Sequence, residues 1–217
     1  VTQNQQRTVH ALLDGYGTTY AEDAGIRLRN TPQPLYRLLV LSSLLSARIR
    51  AGVAVSAARA LFHAGMGSPQ QMADATWRRR VIVLGEGGYR RYDESTATQL
   101  GDGARLLLDT YGGDLRGLRR EADGDTARMG SLLQQFPGLG PAGAAIFLRE
   151  AQGVWPEAAP YIDAKVVQGA GKVGLPEDPS RLARLVGEPQ LPRFTAALVH
   201  CALDKGAAQQ VRELTHA

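Results

Sequence analysis

The sequence predicts an all-α fold. Apolar residues recur at spacings of three and four along most of the chain. Gly, Pro, Ser and Asp fall between those stretches, where helices would start and stop. The one strand-like run, Val81 to Leu84, has no second run to pair with, and a lone strand is not stable. Periodicity places the first helices at about 3–13, 34–47 and 50–64. The next, at about 69–74, opens on the cap-then-proline pair Ser68-Pro69. Helices follow at about 76–84 and 93–111, the second stopped by Gly112-Gly113. Further helices are expected at about 114–121, 126–136, 141–152 and 163–170. The last two, at about 180–187 and 192–207, begin with the capped proline Asp178-Pro179.

At 217 residues and 44% hydrophobic content, the chain can bury a core in one domain or two packed lobes. Its eleven prolines and twenty-five glycines are spread as punctuation, without a linker-like cluster. A net charge of +4 and a pI near 9.5 suit a polyanionic partner, though many soluble proteins carry as much. Cys201 is the single cysteine, which leaves no intramolecular disulfide and no four-cysteine zinc or iron–sulfur site. His10, His63, His200 and His216 show no metal-ligand spacing, so no metal is expected. No stretch has the apolar core of a signal peptide or the length of a membrane span, and a soluble, cytoplasmic monomer is the expectation.

The most informative stretch is Leu132 to Glu150, two amphipathic helical segments joined by Pro137-Gly138-Leu139-Gly140. Gly138 and Gly140 suit positive φ or close approach, and Pro141 suits a first helical position. A helix opening there presents free N–H groups beside the turn, a geometry that binds phosphate oxygens. A plain helical hairpin with a glycine cap would use the same residues.

The segment resembles the helix-hairpin-helix of the endonuclease III-like DNA glycosylases. In that superfamily an L/F-P-G-x-G turn is followed about two dozen residues later by a catalytic aspartate, and here Tyr161-Ile162-Asp163-Ala164-Lys165 stands at the matching distance. The stretch from Thr31-Pro32 to Leu44-Leu45-Ser46-Ala47-Arg48 is similar to the family's early helix ending in Leu-Leu-Ser-Ala-Gln. The resemblance implies two helical lobes, one spanning 34–151 and one formed by 1–33 with 152–217, with the active-site cleft between them. It also implies double-stranded DNA as partner and base excision repair as process. Many relatives carry a four-cysteine cluster, so this chain resembles a cluster-free branch. Family hairpins can hold a monovalent cation through backbone carbonyls, which the resemblance permits here.

Breaking an N-glycosidic bond builds positive charge on the sugar, which a carboxylate can stabilise or attack with activated water. The resemblance gives that role to Asp163, whereas local sequence alone makes it an N-cap. Bifunctional relatives use a lysine within Gly-x-Gly-x-Lys, and this chain has Ala142 there. Lys165, two residues beyond Asp163, points elsewhere on a helix and reads as a phosphate contact or a solvated side chain. Base removal with little or no strand cleavage is therefore expected, with a catalytically silent DNA-binding protein that recognises damaged or distorted DNA as the alternative and an α-helical protein-interaction scaffold as a third class.

Arg48 matches the glutamine that fills the gap left by an extruded base, and reads equally as a helix-end arginine. Tyr89, Arg90, Arg91 and Tyr92 follow Gly85-Glu86-Gly87-Gly88, read as a flexible loop offering stacking and phosphate contacts, or as a loop anchored by its tyrosines. Arg78 to Arg80, after Trp77, reads as a solvated helix face in preference to a DNA contact. Tyr161 would line a base pocket, or pack with its hydroxyl satisfied.

Overall fold

The computed structural model describes residues 1–216, and among them every regular element is helical. Contacts divide the chain into two units: Ala21–Leu148, and Val1–Tyr20 together with the chain from Arg149 onward. The divisions expected from the sequence fall at 34 and 151.

The contiguous unit holds α2 (Tyr20–Asp23, from its second residue), α3 (Pro32–Ser46), α4 (Ala51–His63), α5 (Pro69–Asp74), α6 (Trp77–Glu86) and α7 (Asp93–Tyr111). It continues through α8 (Arg116–Ala122), α9 (Thr126–Leu133) and most of α10 (Pro141–Ala151). Helix α3 begins at Pro32 after Thr31, and its residues Leu35, Tyr36, Leu38, Leu39, Val40, Leu41 and Leu44 are buried on nearly every side. A helix apolar all round belongs at the centre of a core. Helix α6 packs against α4 so closely that a Cβ on Gly87 would sit 2.4 Å from Ala57 Cα. Gly85 and Glu86 lie inside α6, so the expected flexible loop is instead the end of a packed helix.

Arg80 corrects the solvated-face reading of its run. Arg78 and Arg79 are exposed, but Arg80 is 3% exposed and donates to the carbonyls of Ala97 (2.7 Å), Met72 (3.0 Å) and Ala75 (2.6 Å). Burial, then the nearby Arg105 charge, pulls its pKa below the usual arginine value, though a guanidinium keeps its charge in proteins. Its hydrogen bonds tie α5 and the turn after it to α7. Arg80→Leu is expected to lower unfolding stability by about 3 kcal/mol, one for each acceptor left without its donor. Urea unfolding measures this, and a change below about 1 kcal/mol would mean that water replaces the guanidinium.

The other unit contains α1 (Gln3–Tyr16), α11 (Ala164–Lys172), α12 (Pro179–Ala183), α13 (Leu191–Leu203) and α14 (Lys205–His216). Thr2 and Gln5 close a capping box at the start of α1. The core joins Val9 and Leu12 to Val166, Ala170, Phe194, Leu198, Cys201 and Val211. Burial pushes the Cys201 thiol up to about 11, in keeping with an inert packing role. The single helix expected at 192–207 is two, because Asp204 ends α13 and its carboxylate accepts from Gly206 N–H at 2.8 Å as α14 begins. Helix α12 stops at Ala183, short of the expected 187, as α9 stops at Leu133, short of 136. Among the described residues no helix is long and apolar enough to cross a membrane.

Candidate active site and nucleic-acid interface

Asp163 is the N-cap of α11, and its two oxygens have separate partners. Oδ1 accepts from the N–H groups of Lys165 and Val166, each at 3.0 Å. Oδ2 accepts from Arg149 Nη1 at 2.9 Å. The carboxylate thus faces the positive end of a helix dipole and a guanidinium together. It is partly open, with 19% of the Asp163 side chain and 11% of the Arg149 side chain exposed.

The loop leading to Asp163 is pinned by Gln152. Its Oε1 accepts from Tyr161 N–H at 2.9 Å, while Nε2 donates to Arg149 O at 2.8 Å and lies 3.3 Å from Thr195 Oγ1. Trp155, fully buried, anchors the loop midway. Tyr161 is half-buried, and burial followed by the Asp163 charge raises its pKa, which puts the phenol in the field of the carboxylate. Lys165 is exposed and Nζ donates to Gln168 Oε1 at 2.9 Å, so its backbone N–H, not its amine, meets Asp163. Among the described residues no three His, Cys, Asp or Glu side chains converge to hold a metal ion.

The hairpin belongs to the contiguous unit. Leu139 N–H donates to Phe136 O at 3.1 Å, closing a turn that Gly138 completes at φ +80°. The positive φ favours glycine there, and a Cβ would also push the Gln99 side-chain amide aside. Gly140 has neither constraint: its φ lies outside the left-handed region, and a Cβ there would meet nothing within 4 Å. Leu139 is 2% exposed and plugs the turn into the core, while Gly138, Gly140 and Ala142 are exposed. Pro141 opens α10, and the N–H groups of Ala142 and Gly143 have no acceptor among the described residues. Such a turn can offer backbone donors to an anion but no side-chain amine.

Beside the turn lies a cavity of about 320 Å³ whose lining includes Arg48, Ser46, Gly138, Gln99, Tyr89 and Tyr92. The structure therefore brings Arg48, Gly138 and Tyr89 together, although they are far apart in sequence. Arg48 is exposed, two residues past the end of α3, and has no hydrogen bond to helix-terminal carbonyls among the described residues. Ser46 Oγ lies 2.7 Å from Ser43 O and 3.3 Å from Gly138 O, joining the end of α3 to the turn. Tyr89 is 1% exposed with its hydroxyl 3.2 Å from Thr96 Oγ1, so it anchors the segment and offers no open stacking face. Tyr92 takes φ +68° and is 42% exposed, with the Arg91 guanidinium 5.0 Å from its ring centre. Arg90 and Arg91 are both exposed.

No family model matches the chain, and no curated protein matches it in sequence. A solved structure of a trapped endonuclease III–DNA covalent intermediate, an estranged-adenine complex, superposes with a TM-score of 0.51. The match covers 92% of this chain and 86% of that one at 16% identity. The fold is endonuclease III-like. In this endonuclease III-like fold, the sequence singled out Asp163 and the turn but not Arg149, Gln152 and Gln99, which the structure places against them. A signal for Arg149 was present: with Glu150 it interrupts an otherwise apolar helix, Ala144 to Ala151.

Proposed function

We propose that the chain is a DNA N-glycosylase that removes a damaged or mismatched base by water attack assisted by Asp163, with little or no strand cleavage. The observation that carries this reading is the Asp163 carboxylate, oriented by three donors at the start of α11 and still partly open to solvent. A carboxylate whose Oδ1 is held by the helix N–H groups meets the positive charge that develops on the sugar with its orientation already set. The endonuclease III-like fold supports the reading, since the solved structure sharing it is a DNA complex. In this reading Gly138, Gly140 and Ala142 offer backbone donors to a phosphate, and Leu139 holds the turn in place. Arg48, Arg90, Arg91 and Lys165 supply cationic contacts to double-stranded DNA, and Tyr161 lines the base pocket. The protein acts as a monomer, a monovalent cation can share the hairpin carbonyls, and one cysteine cannot hold an iron–sulfur cluster.

The Arg149–Asp163 ion pair favours a second reading, a catalytically silent protein that recognises distorted DNA, because a neighbouring cation offsets the carboxylate's charge. Single-turnover incubation with labelled duplexes carrying different lesions separates the two. Strand scission appearing only after alkali is expected from the glycosylase. Tight lesion binding without product under either treatment would establish the silent binder.

A further inference from the structure

The Arg149 guanidinium is used along one edge only. Nη1 bonds Asp163 Oδ2, while Nε and Nη2 have no hydrogen bond among the described residues. These nitrogens are not sealed inside the protein either, because among the described residues the buried side-chain polar atoms without partners are Arg37 Nε and Ser42 Oγ. A nearly buried arginine therefore keeps open donors at the candidate site. Its fork can hold two oxygens of one anion, yet here it meets a single carboxylate oxygen. That oxygen is also the one Asp163 has left for chemistry, because Oδ1 is committed to Lys165 and Val166.

A phosphodiester brought next to Asp163 would set two negative charges side by side unless a cation stood with them. Arg149 is the guanidinium already there, and Lys165 Nζ is engaged by Gln168. We propose that Arg149 is a positioning residue that binds a backbone phosphate of the target nucleotide through its unused edge, drawing away from Asp163 and uncovering Oδ2. The inference rests on the glycosylase reading and adds a switch to it: the pair is closed in the free protein and opened by DNA. Protons and bonds stay where they are, and only hydrogen-bond partners change.

The test is equilibrium binding of the full chain to a duplex with a tetrahydrofuran abasic site, which has no base to lose, across a potassium chloride series. Replacing Arg149 by Gln keeps a donor for Asp163 but removes the charge, so the slope of log affinity against log salt should shrink by about 0.9. Arg149→Lys should restore the slope. Asp163→Asn, which frees Arg149 from its carboxylate, should bind severalfold tighter, and it carries the test should Arg149→Gln not fold. An unchanged slope in Arg149→Gln, or no tightening in Asp163→Asn, would overturn the proposal while leaving the glycosylase reading intact. Absence of salt-dependent binding by the unaltered protein would overturn that reading, and this one with it.

Discussion

Asp163→Asn is expected to slow base removal by about 10²- to 10⁴-fold, the range assigned to a positioned acid–base group. Asparagine can still accept the N–H groups of Lys165 and Val166 through its amide oxygen, so α11 keeps its cap. What disappears is the negative charge that the proposed reaction sets against the sugar. Single-turnover kinetics on the best lesion duplex measure the loss, and DNA affinity, retained or increased, shows that the fold survives. A rate within about threefold of the unaltered protein would limit Asp163 to capping a helix and pairing with Arg149.

Gly169→Ala is expected to remove about 4 kcal/mol or more of stability, beyond ordinary overpacking. A Cβ there would stand 1.9 Å from Leu198 O and 2.6 Å from Leu198 C, both main-chain atoms of α13. A side chain can rotate out of the way; a helix backbone must move as a whole. The displaced element would be α11, which Asp163 caps, so activity should fall even at temperatures where the protein stays folded. Gly15→Ala is the control, since nothing lies within 4 Å of its Cβ inside α1 and helix propensity favours alanine by about 0.5–1 kcal/mol. Urea midpoints compare the two, and a loss under about 1 kcal/mol at Gly169 would mean that α11 and α13 separate freely.

Much of this fold was legible because helices announce themselves locally. The periodicity of α3 and α7, the proline openings at Pro69, Pro141 and Pro179, and the turn at Gly138 all depend on near neighbours in sequence. Asp163 was legible as a helix cap, and the structure shows Oδ1 capping α11 while Oδ2 turns to Arg149. Arg80 was illegible, because its burial depends on three carbonyls from other segments, and three adjacent arginines look like a wet surface. Arg149 escaped for the same reason, since its partner lies fourteen positions onward across a folded loop. The break at Asp204 was hidden by apolar spacing that continues through it, whereas in the structure its extended backbone and its side chain's bond to Gly206 mark the new helix.

The amide of Gln152 gives the region before Asp163 a modular character. By grasping the main chain at Arg149 and Tyr161, it fixes both ends of the intervening segment independently of what lies between. Trp155 and Ala158 are buried within it, while Gly153 and Pro156 are exposed. The stretch is therefore an exchangeable cassette, in which substitutions at the outer positions can accumulate while Asp163 and Arg149 stay in register. A lineage, or an engineer, could diversify the surface beside the Asp163 carboxylate without rebuilding the carboxylate's support.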